Sequence, residues 1–168
     1  MKILWCFLMF MPNLGFGSKS IDSIPNMLFY TQRSLNQNVV IYEANFDSVG
    51  YLNVEQPIIY YWILIEEEGQ IEELSYTENK FAYGLEFKLI DEHRYHVVLK
   101  ADETIDFTLS QRAPFKAEFS AQIHTSHMMI TNVFVQSKKT MVMPQVDFVL
   151  FKGLDINTKE IVSEKVFY

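Results

Sequence analysis

LEFKLIDEHRYHVVLKADETIDFTLSQRAPFKAEFSAQI, residues 85–123, alternates apolar and polar side chains through four successive segments. Leu85, Phe87 and Leu89 take turns with Glu86 and Lys88. Tyr95, Val97, Leu99 and Ala101 take turns with His96 and Lys100. Ile105, Phe107 and Leu109 interleave with Asp106, Thr108 and Ser110. Phe115, Ala117, Phe119, Ala121 and Ile123 interleave with Lys116, Glu118, Ser120 and Gln122. Neighbouring side chains on a strand point to opposite faces, so each segment has one dry face and one wet face. Sheets wet on one face are typically antiparallel. The stretch therefore reads as a β-meander that must curl or double over to hide its apolar side.

Working outward, Met27–Arg33 and Val39–Phe46 read as strands, with Asn36, Gln37 and Asn38 as the turn between them. Asparagine suits such a turn because it tolerates the left-handed region and bonds its own backbone. Ile58–Ile65 is apolar on both faces and is expected to be covered on both sides, or to face a partner or ligand. Glu66–Gly69 is a charged turn, and Ile71–Tyr76 resumes the strand. Thr77–Phe81 is the one helical turn, with Thr77 as its cap and Gly84 at its end. Val146–Lys152 and Ile161–Phe167 pair across the connection between them. The reading is all-β: a single antiparallel β-barrel or curled β-sandwich of roughly nine or ten strands with one short helix.

Length and composition agree with that. The 168 residues suit one domain, and aromatic content is 15%, which favours large rings packed on a pleated surface. The first 17 residues are read as a signal peptide: Lys2, an apolar run from Ile3 to Met11, then Pro12 and the small residues Gly15 and Gly17. That leaves 18–168 as a single all-β domain, exported to the periplasm or secreted. The run is too short to span a bilayer, and no later apolar run reaches membrane-spanning length. The one cysteine, Cys6, lies in this segment, so the mature chain has neither disulfides nor thiol chemistry. The formal charge is −7, with three arginines, Arg33, Arg94 and Arg112. Such a surface repels phosphate backbones, which argues against nucleic acid as a partner.

A resemblance enters through the order of several local motifs. These are residues 29–38 (Phe-Tyr-Thr-Gln-Arg-Ser-Leu-Asn-Gln-Asn), Tyr42-Glu43-Ala44-Asn45, Pro57-Ile58, Tyr61-Trp62-Ile63 and Lys80–Gly84. Pro144-Gln145-Val146 and Gly153-Leu154-Asp155 follow near the end. Together they resemble an exported bacterial family, domain of unknown function forty-eight thirty-three, over almost the whole mature chain. The resemblance implies a single domain with a signal peptide and implies no reaction. Two turns depart from its pattern. Thr125-Ser126 lacks an Asn-Gly type pair, and Asn157-Thr158-Lys159 stands where a glycine-containing turn is usual.

Candidate chemistry is sparse. Arg33 with Asn36 and Asn38 could bind a carboxylate or sugar through directional hydrogen bonds. The plainer alternative is that the asparagines shape a turn and Arg33 pairs with an acidic neighbour. Tyr60, Tyr61, Trp62, Tyr76 and Tyr83, with Tyr42, could line a pocket, or simply pack as core and rim. The tentative ligand set is Arg33, Asn36, Asn38, Tyr42, Tyr61, Trp62, Tyr76 and Tyr83. His93, His96, His124 and His127 flank strand reversals, and within one strand a three-residue spacing places rings on opposite faces. They read as solvated turn residues rather than zinc ligands. Glu66, Glu67, Glu68, Glu72 and Glu73 read as a hairpin tip, since a glycosidase needs two acids facing each other across a cleft. No nucleophile elbow, phosphate loop or cofactor motif is present. The expected function is a non-enzymatic exported module binding a small apolar or amphipathic ligand, in a pocket between the Ile58 strand and the meander or at a barrel mouth. A structural or interaction protein of the cell envelope is the alternative, and a hydrolase using a His or Glu pair is a third.

Overall fold

A computed structural model describes Ile21, residues 24–139 and residues 145–168. The expected signal segment, Cys6 and Pro144 lie outside the described residues. Eleven strands and one helix follow in chain order: β1 Met27–Arg33, β2 Val39–Ala44, β3 Ile58–Leu64, β4 Gln70–Glu72, α1 Tyr76–Phe81, β5 Leu85–Asp91, β6 Arg94–Leu99, β7 Asp102–Ala113, β8 Lys116–Ile123, β9 Ser126–Lys138, β10 Gln145–Asp155 and β11 Ile161–Phe167. The fold is a curled all-β sheet with one short helix.

The meander forms as its alternation dictates. Leu85 lies opposite Leu99, Val97 opposite Phe107, Leu109 opposite Phe119 and Ala121 opposite Met128. All eight of these side chains except the half-buried Leu99 are buried. Phe115 departs from the pattern. It sits in the β7–β8 turn with φ 58° and is 53% exposed. The turn rotates its ring off the inner face and onto the loop before β3, where it meets Phe46 edge-on at 5.9 Å and its N–H donates to the Gly50 carbonyl at 3.0 Å.

The organising strand is β9. Its edge opposite β10 is shared by two strands. β8 pairs antiparallel with Ser126–Met129, and β1 pairs parallel with Asn132–Val135. β10 runs along the other edge for nearly the full length of β9. Three limbs therefore meet at β9: β1–β4, β8–β5 and β10–β11. The β1–β9 pair is the one parallel ladder among the described residues, so the sheet is not wholly antiparallel.

The hand-over falls at Thr131, where β9 carries one extra residue between Ile130, paired with Gly153, and Asn132, paired with Lys152. A bulge of this kind switches which side chains face inward. Accordingly Met128 and Ile130 are buried before it, and Val133 and Ser137 after it. Gly153 fits the bulge because a Cβ there would lie 2.0 Å from the Met129 carbonyl oxygen.

The inner face carries a file of aromatic rings crossing all three limbs. Tyr60, Tyr42, Phe29, Phe119, Phe107 and Phe151 follow one another with centroid separations of 5.7, 4.2, 4.5, 5.1 and 6.2 Å. Such pairs add to the burial of the rings themselves. β2 is covered on both faces, because Val39, Ile41 and Ile63 form a second cluster with Ile24 on the outer side. The both-sided apolar pattern of β3 has the same cause: Ile58 and Trp62 face the main core, while Ile63 faces the outer cluster.

The local corrections have simple causes. β4 ends at Glu72, and Tyr76 belongs to α1 rather than to a strand. The helix is capped by Ser75, not Thr77. Ser75 Oγ accepts from the Glu78 N–H, and Glu78 returns a carboxylate to the Ser75 N–H at 2.9 Å, a reciprocal capping box. Gly84 follows the helix because a Cβ there would lie 1.8 Å from the Asn79 carbonyl oxygen. In the two turns that depart from the family pattern, His124 and Lys159 take left-handed conformations with φ of 51° and 60°.

Candidate functional site

The limbs do not close completely on one another. Between them lies a cavity of about 380 Å³. β1 and β2 contribute Thr31, Arg33 and Tyr42, because alternation puts Phe29, Thr31 and Arg33 on the same inward face as Tyr42. The segment leaving α1 contributes Phe81, Ala82 and Tyr83. The meander supplies Leu99, Ala101, Asp102, Ile105 and Phe107. Val133, Val135 and Ser137 come from β9 after the bulge, Val146, Val149 and Phe151 from β10, and Tyr168 closes the rim. The lining is mostly aliphatic and aromatic, with few polar groups, the composition of a small-molecule site.

Arg33 and Tyr83 meet at one part of the lining. The Arg33 guanidinium carbon lies 4.6 Å from the centre of the Tyr83 ring, a cation–π contact. Among the described residues Arg33 has no carboxylate within salt-bridge distance, whereas Arg94 and Arg112 pair with Asp91 and Glu118. Tyr83 is 4% exposed, and its buried hydroxyl has no hydrogen-bond partner among the described residues. Burial pushes the Tyr83 phenol up to about 12, with the Arg33 charge pulling the other way. Tyr42 donates its hydroxyl to the Tyr83 carbonyl at 2.9 Å, and burial drives its phenol strongly upward. Behind Tyr83 the Trp62 ring packs edge-on at 5.0 Å. Burial raises the Glu78 carboxyl, but Ser75, Trp62 and Arg33 together hold it below its ordinary value.

The opposite side of the rim is latched. Tyr168 donates its hydroxyl to Asp102, joining the end of β11 to the start of β7. Asp102 also accepts from the Thr104 N–H at 2.9 Å, and these bonds outweigh burial and keep its carboxyl below the usual range. Its negative charge is thereby engaged at the rim.

Of the expected ligand residues, Arg33, Tyr42 and Tyr83 line this cavity. Trp62 stands one ring behind it. The remaining four do not belong to its lining. Asn38 accepts from the Glu66 N–H at 3.3 Å and ties two loops together. Asn36 lies in the β1–β2 loop with its side-chain oxygen buried and unpartnered. Tyr61 points to the outer face and donates to Glu43, which with burial raises its phenol. Tyr76 is exposed on α1. The Ile58 strand, β3, contributes no residue to the cavity lining, so the cavity departs from the pocket expected between that strand and the meander.

Other candidate groups lie at the surface. His96 sits within β6 rather than at a reversal and contacts Asp106 at 2.7 Å. His124 contacts Glu164 at 3.3 Å. A second recess of about 400 Å³, at Asp91–Arg94, Gln111 and Arg112, is shallow and polar, and both its arginines are already paired. Among the described residues no three His, Cys, Asp or Glu side chains are grouped to hold a metal, and no helix is long and apolar enough to cross a membrane.

Sequence reasoning missed the β9–β10 wall of the cavity, Asp102 and Tyr168. The signal for the wall was the phase change in apolar spacing from Met128 and Ile130 to Val133 and Val135, which marks the bulge. No curated protein and no solved structure gives a significant match to the chain. The profile of one family does match, over residues 29–165, and so runs from β1 into β11. The chain belongs to the family described as Domain of unknown function (DUF4833).

Proposed function

We propose that this chain is an exported, non-enzymatic binding domain that holds a small apolar or amphipathic molecule between its three limbs. One observation carries the reading: a mostly apolar cavity of about 380 Å³ between the limbs, with Arg33 in its wall. Protein interiors rarely leave such space unfilled, and this volume lies within the range of about 300–1,000 Å³ of small-molecule sites. The N-terminal pattern of Lys2, an apolar run and small residues supports export.

Titration calorimetry with decanol, a neutral probe, tests the reading. The intact protein is expected to bind it saturably, and Val149→Trp, which fills the cavity from β10, is expected to abolish binding with the circular dichroism spectrum unchanged. Absence of binding to the wild-type protein overturns the proposal.

A second reading, an interaction protein of the envelope, draws on β11. This edge strand pairs with β10 alone among the described residues and exposes Ile161 and Phe167. Concentration-dependent self-association lost in Ile161→Lys is its test, and a monomer at all concentrations counts against self-association through that edge.

A further inference from the structure

We infer that the molecule held in this cavity is a monoanionic amphiphile, with its acidic head on Arg33 and its apolar body along Phe107 and Val149. This inference rests on the binding reading above and specifies its ligand.

Three observations converge on it. Arg33 is half-buried, faces the cavity and has no carboxylate partner among the described residues. Glu78 acts on Arg33 only from beyond salt-bridge distance, which leaves the guanidinium fork without a bonded carboxylate, and a carboxylate meets such a fork with two parallel hydrogen bonds. The Tyr83 ring lies against the guanidinium at 4.6 Å and holds it at the cavity wall. Asp102, the acidic residue of the lining, is bonded to Thr104 and Tyr168 at the rim, so a negative head is directed toward Arg33 and away from it.

Size narrows the class further. At about 30 Å³ per non-hydrogen atom, the share of a water molecule in the liquid, the cavity takes on the order of a dozen such atoms. That suits a medium-chain carboxylic acid or an aromatic acid of similar bulk. It excludes a two-chain lipid lying wholly within the walls.

The test compares decanoate, decanol and decylamine on the intact protein by titration calorimetry at neutral pH and constant ionic strength. Decanoate is expected to bind at least tenfold more tightly than decanol, and decylamine more weakly than either. Arg33→Met keeps an apolar stem and removes the charge. It is expected to bring decanoate down to the affinity of decanol while decanol binding persists, which also shows that the variant is folded. Arg33→Lys is expected to restore part of the preference.

If decanol binds and decanoate gains nothing over it, the anion inference is overturned while the cavity reading stands. If no probe binds the wild-type protein, the cavity reading falls and the inference with it. Decanoate preference that survives in Arg33→Met also overturns the assignment to Arg33.

Discussion

Phe119→Ala and Phe115→Ala, two changes four residues apart at positions of the same strand parity, should differ sharply. Phe119 is 2% exposed and lies between Phe29 at 4.5 Å and Phe107 at 5.1 Å, in the middle of the ring file that joins the three limbs. Truncating a buried phenylalanine costs about 3–5 kcal/mol, through lost transfer energy and the cavity left behind. Phe115 is half exposed and lies against the rim loop at Phe46 and Gly50. About half the value of a fully buried ring, on the order of 1 kcal/mol, is at stake there. Urea unfolding followed by circular dichroism reads both. The Phe119→Ala midpoint should fall steeply with little change in slope, matching a drop in Tm of about 6–20 °C for a chain of this size. Against a total stability of about 5–15 kcal/mol, that loss is severe without being certain to unfold the chain. Equal costs at the two positions, or a larger one at Phe115, would refute the inward alternation and the ring file together.

Five further outcomes follow from the geometry. Gly153→Ala puts a methyl group into the Met129 carbonyl at the β9 bulge, so it should lower the urea midpoint by more than the same change at Gly69, where a Cβ meets nothing and the cost is only that of a φ of 83°. Lys159→Gly relieves a left-handed residue and should stabilise by up to about 1 kcal/mol, read as a higher Tm. Ser75→Ala should cost about 0.5–2 kcal/mol through the lost helix cap. Because the folded Glu78 carboxyl lies below its ordinary value, its contribution is present above the unfolded pKa and fades as pH falls through the folded one, a loss that acid titration of a Glu78→Gln variant should no longer show. At the alkaline end, Tyr83 is raised to about 12, so the unfolded chain releases that proton first. Its stabilisation is whole below about pH 10, the ordinary tyrosine value, and is lost between there and about 12. Tyrosinate absorbance should show a phase that coincides with unfolding and that diminishes in Tyr83→Phe.

Alternation made the meander legible, because each strand from β5 to β8 pairs with its neighbour in sequence and hides one face. The same rule fits Tyr42, which shares an inward face with Val40 and Ala44. It failed at Phe115, where a tight turn sets the backbone angle and overrides the strand period. It also missed the joining of β1 to β9, since a parallel pairing between residues a hundred positions apart leaves no local mark. The family resemblance was readable from the order of short motifs, but those motifs carry loops and strand ends, not a reaction. The cavity was illegible for the same reason as the branch. Its walls come from three limbs, and only the bulge at Thr131 turns Val133 and Val135 toward it. The closeness of Arg33, Asn36 and Asn38 in sequence suggested a joint site, but Arg33 ends β1 and lines the cavity while the two asparagines lie in the loop that follows.

The most direct trial of the bound-molecule account is a decanoate titration of the isotope-labelled protein, followed through its backbone amide resonances. Saturable shifts should gather at Arg33, Tyr83, Phe107, Val135 and Val149, while Ile41 and Ile63 on the outer face stay still. Shifts centred on the outer cluster, or none at all, would contradict it.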